Sequence, residues 1–156
     1  MTGLAFPCAD LPETFVARQR ALFVCRRYAR GQGDAEYRFN YHDRFPCLPL
    51  WHEGQLLLAR WGNGTGLSAH LPHSGWTWSE SLAEKWAHVD TTAVVIPARL
   101  GFAGGVWYPI FEGVQGLLVT DEKGRPVVFV LVQPASHYYQ VMTRCSWMPL
   151  LVNQVI

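Results

Sequence analysis

A thiol flanked by guanidinium groups is the arrangement in this chain best suited to chemistry. Cys25 is followed directly by Arg26 and Arg27, with Arg30 close behind. Adjacent positive charge favours the thiolate, which is the nucleophilic form of cysteine. The same guanidiniums supply paired donors that fit phosphate oxygens. An isolated Cys in an apolar run is ordinarily a small core residue, so the arginines carry the functional reading. Other patterns are weaker. His70-x-x-His73, with Cys47 or Cys145, has a spacing zinc can use, although loop histidines on a surface are the plainer reading. Ser68 and Ser74 lack the Gly-x-Ser-x-Gly elbow of a serine hydrolase. Gly31-x-Gly33 and Gly62-x-Gly64-x-Gly66 lack the strand-to-helix setting and the Lys-Ser or Lys-Thr pair of a phosphate loop. Nothing in these patterns asks for a cofactor or a metal.

The arginines are unevenly spread. Net charge is +1, so no global field drives the chain onto nucleic acid, and any such binding must come from a local patch. Eight of the 13 basic residues precede position 61, and all eight are Arg: 18, 20, 26, 27, 30, 38, 44 and 60. Arginine offers a planar fork for phosphates and a stacking face for bases, which lysine does not. A solvated Arg-rich face without a partner is the competing reading.

The scaffold that must hold these residues is strand-rich. The 156 residues suit one domain large enough to need no disulfide or metal. Composition is 49% hydrophobic and only 16% charged, with 7 Trp, 6 Tyr and 8 Phe, which favours strands. The four cysteines are widely spaced, no stretch reads as a signal peptide and no run of about 18 apolar residues is present, so the simplest expectation is a cytoplasmic protein with reduced thiols and no membrane association.

Local patterns predict the elements. Leu11 to Val24 could form one amphipathic helix, although Phe23 to Tyr28 suit a strand equally well. Cys47 to Trp51 and Gln55 to Trp61 read as a hairpin about His52-Glu53-Gly54. Gly62 to Trp78 reads as a long loop, and Glu80 to about His88 as a helix capped by Ser79 or Ser81. Strands are expected at Thr92 to Pro97, Val106 to Phe111, Val114 to Thr120 and Pro126 to Val132, the last two joined at Asp121-Glu122-Lys123-Gly124. Ser136 caps a short helix, and Met148 to Val152 closes the chain as a strand. With no parallel βαβ rhythm, the fold class is α+β: a mainly antiparallel sheet, barrel-like or bifurcated, with two or three helices outside.

Several short motifs occur in a telling order. Cys25-Arg26-Arg27-Tyr28-Ala29, Arg38-Phe39-Asn40, Arg60-Trp61-Gly62, Pro97-Ala98 and Met148-Pro149 together resemble the SRAP (SOS-response-associated peptidase) domain, whose members open Met-Cys-Gly-Arg-Tyr-Ala and continue with Arg-Tyr-Asn and Trp-Gly. The resemblance implies an SRAP-like domain over residues 25–156, shortened at its C-terminus, behind an N-terminal extension of residues 1–24. It implies a DNA-damage role: single-stranded DNA, with or without abasic sites, as partner, and Cys25 as the residue that crosslinks to a ring-opened abasic site. That chemistry needs a terminal amine, because an amide nitrogen has no nucleophilic lone pair, so it requires Cys25 to become the first residue. Arg26, Arg27, Arg38, Asn40, Arg60 and Trp61 are the implied DNA-binding residues, Trp61 either as a base-stacking platform or as a core residue.

The chain departs from the family at its acid-base positions. Where Asn, Glu and His are expected stand Ser68, Gly104 or Tyr108, and Cys145. His42-Asp43 replaces the Ala-Pro of the base-wedging loop. Three readings remain: a thiol-dependent DNA-crosslinking protein, a catalytically degenerate SRAP fold that binds DNA or a protein non-covalently, and an unrelated thiol- or metal-dependent hydrolase.

Overall fold

A computed structural model describes residues 1–19, 26–30 and 34–156, with backbone alone for 26–30 and 34. Cys25 lies outside the described residues. The strands are β1 (Gly3–Pro7), β2 (Arg26–Arg30), β3 (Asp34–Asn40), β4 (Cys47–His52), β5 (Gln55–Trp61), β6 (Trp76–Trp78), β7 (Thr92–Ile96), β8 (Leu100–Ala103), β9 (Val106–Pro109), β10 (Val114–Thr120), β11 (Pro126–Pro134) and β12 (Trp147–Pro149). The helices are α1 (Glu13–Gln19), α2 (Leu82–Lys85) and α3 (His137–Thr143). Among the described residues no helix is long and apolar enough to cross a membrane.

Two sheets form an α+β architecture that is mostly antiparallel. One has the order β2-β3-β1-β8-β9. In the other, β10-β7-β4-β5-β11 closes on itself through the β10–β11 pairing, with β6 and β12 attached to β11. Within this mainly antiparallel arrangement, β11 runs parallel to β5 and β6. The β4–β5 hairpin turns through Glu53 and Gly54 at φ 50° and 74°, the left-handed pair that matches strand twist.

Within residues 1–19, β1 is integral to the sheet. β1 lies in the middle of the five-stranded sheet, pairing with β3 on one side and β8 on the other. Leu4 and Phe6 alternate into the core, where Phe6 meets Phe39 edge-on at 5.2 Å. Small residues occupy the other face. A Cβ on Gly3 would lie 3.3 Å from the Phe102 Cβ, a tight approach that glycine avoids.

β11 explains its own continuous apolar run. Val128, Val130 and Val132 join the main core, while Val127, Phe129 and Leu131 face a second cluster with Trp86 and Leu71. A strand buried on both faces does not alternate. Trp86 packs on Phe129 at 5.0 Å and donates its indole N–H to Thr77 at 2.9 Å. The helix expected from Glu80 to His88 is reduced to a 3-10 turn and the single turn of α2, and neither serine makes the expected cap. Ser136 does cap α3, accepting from the Tyr139 amide at 3.0 Å.

Candidate functional site

The end of β5 sets the site. Alternation along the strand turns Trp61 inward, fully buried against Tyr41 and Trp76, with its indole N–H donated to the Gly75 carbonyl at 3.1 Å. Of its two readings, burial supports the core residue, since no face of the ring is open to a base. Gly62 follows at φ 63°, and a Cβ there would lie 2.2 Å from the Ser74 carbonyl oxygen, so only glycine fits. Arg60 turns the other way.

The parallel register places Arg60 opposite Val127, beside the β10–β11 turn. There the Asp121 carboxylate, wholly buried, accepts from the Lys123 and Arg125 amides at 2.9 Å and from the Arg125 guanidinium at 2.9 Å. Burial alone pushes this carboxyl up, but these donors outweigh it and hold it below its ordinary value. On its other side Arg60 Nη2 stands 3.7 Å from Asp121, while its Nε donates to the Gly62 carbonyl at 3.2 Å. Burial works against the charged form of Arg60, Asp121 offsets part of that effect, and Arg125 adds repulsion, leaving its pKa below the usual guanidinium value.

In front of this cluster opens a cleft of about 420 Å³. Arg44, Arg60 and Arg125 line it, and among the described residues no carboxylate does. Its apolar walls include Phe45 and Leu67, which are 60% and 55% exposed. The Arg44 guanidinium lies 5.2 Å from the Phe45 ring centre. Cys47 closes one wall, its thiol pushed up to about 12 chiefly by burial and then by Asp43. Cys47 is therefore expected to resist iodoacetamide at pH 8 in the folded protein and to react only on unfolding, with the partly exposed Cys8 and Cys145 as comparison in the same mass spectrum. Rapid labelling of Cys47 in the native state would contradict this packing.

The other sequence-predicted residues lie on the five-stranded sheet. Arg38 on β3 donates to Glu36 at 2.7 Å and stacks over Trp107 at 4.8 Å. Asn40 ends β3 exposed, its side chain accepting from the His42 amide at 2.9 Å, while Asp43 accepts from the Asn40 amide at 3.2 Å. His42-Asp43 thus belongs to a tight polar turn. Arg26 and Arg27 on β2 stand opposite Arg38 and Tyr37 in the register. The expected residues thus divide between strands β2 and β3 of the five-stranded sheet and the end of β5, where Arg60 lines the cleft and Trp61 lies in the core. Arg44, Phe45 and Arg125 complete that cleft, and Asp121 stands behind it, without having been singled out.

Ser68 lies apart from Tyr108 and Cys145, which both neighbour Tyr139. Ser68 is buried and donates to Glu122 at 2.8 Å; the same carboxylate accepts the Ala69 amide at 2.9 Å, which clips the long loop to the β10–β11 turn. Tyr108 and Tyr139 share a hydroxyl contact of 3.3 Å, and burial first, then each other, pushes the Tyr108 phenol well up, so neither ionises near neutral pH. His70 lies 3.9 Å from Glu122, and among the described residues no three His, Cys, Asp or Glu side chains gather as metal ligands. Comparisons with protein-family models, curated proteins and solved structures find no match to this chain.

Proposed function

We propose that the chain is an SRAP-like module that binds single-stranded DNA reversibly, through the cleft beside β5. The observation that carries this reading is a cleft with three guanidiniums, no carboxylate among its described lining residues and an exposed phenyl ring. Phosphates need the first, and an unpaired base stacks on the last. A duplex hides its base faces, so exposed Phe45 favours a single strand. The SRAP-like reading draws support from where the motifs fall: Asn40 ends β3, Trp61 ends β5, Pro97-Ala98 follows β7, and Met148-Pro149 lies in β12.

Reversible binding fits better than crosslinking. Freeing Cys25 as a terminal amine would remove residues 1–24 and with them β1, stripping the middle strand from its sheet. Fluorescence anisotropy with labelled single-stranded DNA, single-stranded RNA and duplex DNA tests the proposal. Single-stranded DNA is expected to bind most tightly, and Phe45→Ala to weaken it by about 1–3 kcal/mol, the worth of one base–aromatic stack. Equal affinity for duplex and single strand, or no binding at all, would refute it.

A further inference from the structure

The positive charge behind the cleft is only partly answered. Asp121 sits between two guanidiniums and gives its close contacts to Arg125; Arg60 stays 3.7 Å away. Arg60 is only 16% exposed in its side chain, and its Nη2 is buried without a hydrogen-bond acceptor among the described residues. Unsatisfied buried donors are uncommon in native proteins and call for an explanation. Arg44 adds a third guanidinium at the mouth. Asp121 also fixes this geometry, because a carboxylate held by two amides and a guanidinium cannot swing away. The cleft therefore presents the Arg44 and Arg125 guanidiniums beside an aromatic wall, with the largely buried Arg60 among its lining, within a volume of about 420 Å³ that suits a small ligand rather than a long tract.

Building on the reading of this cleft as a single-strand site, we infer that it takes the end of a strand: a terminal phosphomonoester among Arg44, Arg60 and Arg125, with the adjoining base on Phe45. A phosphomonoester carries about −1.5 to −2 charge near neutral pH, whereas an internal phosphodiester carries a single charge. Three guanidiniums favour the more highly charged group, and its three terminal oxygens can accept from more than one of them. Asp121 serves as a positioning residue and does not touch the ligand.

Three internally labelled oligonucleotides of one sequence test this: 5′-phosphate, 3′-phosphate and hydroxyl at both ends. One phosphorylated end is expected to bind about tenfold more tightly than the hydroxyl form, the worth of an added charge-assisted hydrogen bond, and the better arm identifies which end is read. Arg44→Gln alters an exposed side chain, so the variant should keep its thermal melting temperature while losing most of that preference. Inorganic phosphate should compete less well than a nucleoside monophosphate, because it lacks the base. Equal binding of all three oligonucleotides would overturn the inference and leave single-strand binding standing. A preference that survives Arg44→Gln, or competition by inorganic phosphate as strong as by the nucleotide, would overturn the assigned cleft. Failure of every oligonucleotide to bind would remove the inference and the proposed function together.

Discussion

Trp61→Ala is expected to destabilise the protein by about 3–5 kcal/mol, the range for emptying a large aromatic site in a packed core. The indole is fully buried between Tyr41 and Trp76, and its N–H is donated to Gly75. Neighbours cannot easily collapse into the void, because Gly75 already abuts the ring: a Cβ there would lie 3.1 Å from the indole nitrogen. Against a typical total of about 5–15 kcal/mol, such a loss is a large fraction of stability. Trp61→Phe should recover most of it, since the Gly75 carbonyl also accepts from the Val130 amide and is not orphaned. Urea unfolding midpoints measure both variants. A small stability loss accompanied by a large loss of DNA affinity would instead make Trp61 a base platform.

Asp121→Ala carries the second large effect, about 3 kcal/mol, at the lower end for unpairing a buried charge because Arg125 is half exposed and partly solvated. The variant leaves Arg60 and Arg125 facing each other with no anion between them. Removing Arg60 as well, in Asp121→Ala/Arg60→Met, should restore part of the loss, since replacing a whole buried ion pair is far less costly than breaking it. The pH dependence follows in sign. The folded carboxyl lies below its ordinary 3.8, so its stabilisation is present above that value and is lost as pH falls through the lower folded value. Melting temperature should therefore drop more steeply below about pH 4 in the native protein than in Asp121→Asn. Identical acid limbs would show that Asp121 is not held by these donors.

Much of the barrel was legible in local pattern. Glu53-Gly54 marked the β4–β5 hairpin, Asp121 to Gly124 marked the β10–β11 turn, and Ser136 marked the start of α3, because each is decided by chemistry within a few residues. What failed was decided at a distance. β1 is five residues with Gly at one end and Pro at the other, and it is a strand because β3 and β8 flank it. Trp76–Trp78 read as loop, yet it pairs with β11 as β6. The helix after Ser79 is a single turn that ends at Trp86, which is held by Thr77 and Phe129 in contacts that local spacing does not encode.

The site divided along the same line. Arg60 was visible through its motif, and alternation alone shows that Arg60 and Trp61 cannot both face outward. Arg125 was invisible, because only the parallel β5–β11 register brings it to Arg60. Phe45 carried a faint signal, an aromatic beside Arg44 and Pro46 in a segment without periodicity, where an apolar ring has no evident core to join.

Salt dependence of single-strand binding reports on the phosphate contacts themselves. If the cleft guanidiniums hold phosphate, log K for single-stranded DNA should fall with log salt by roughly 0.7 for each phosphate neutralised, and Arg44→Gln should flatten that slope. A slope near zero, or one that Arg44→Gln leaves unchanged, would mean that these guanidiniums do not hold phosphate.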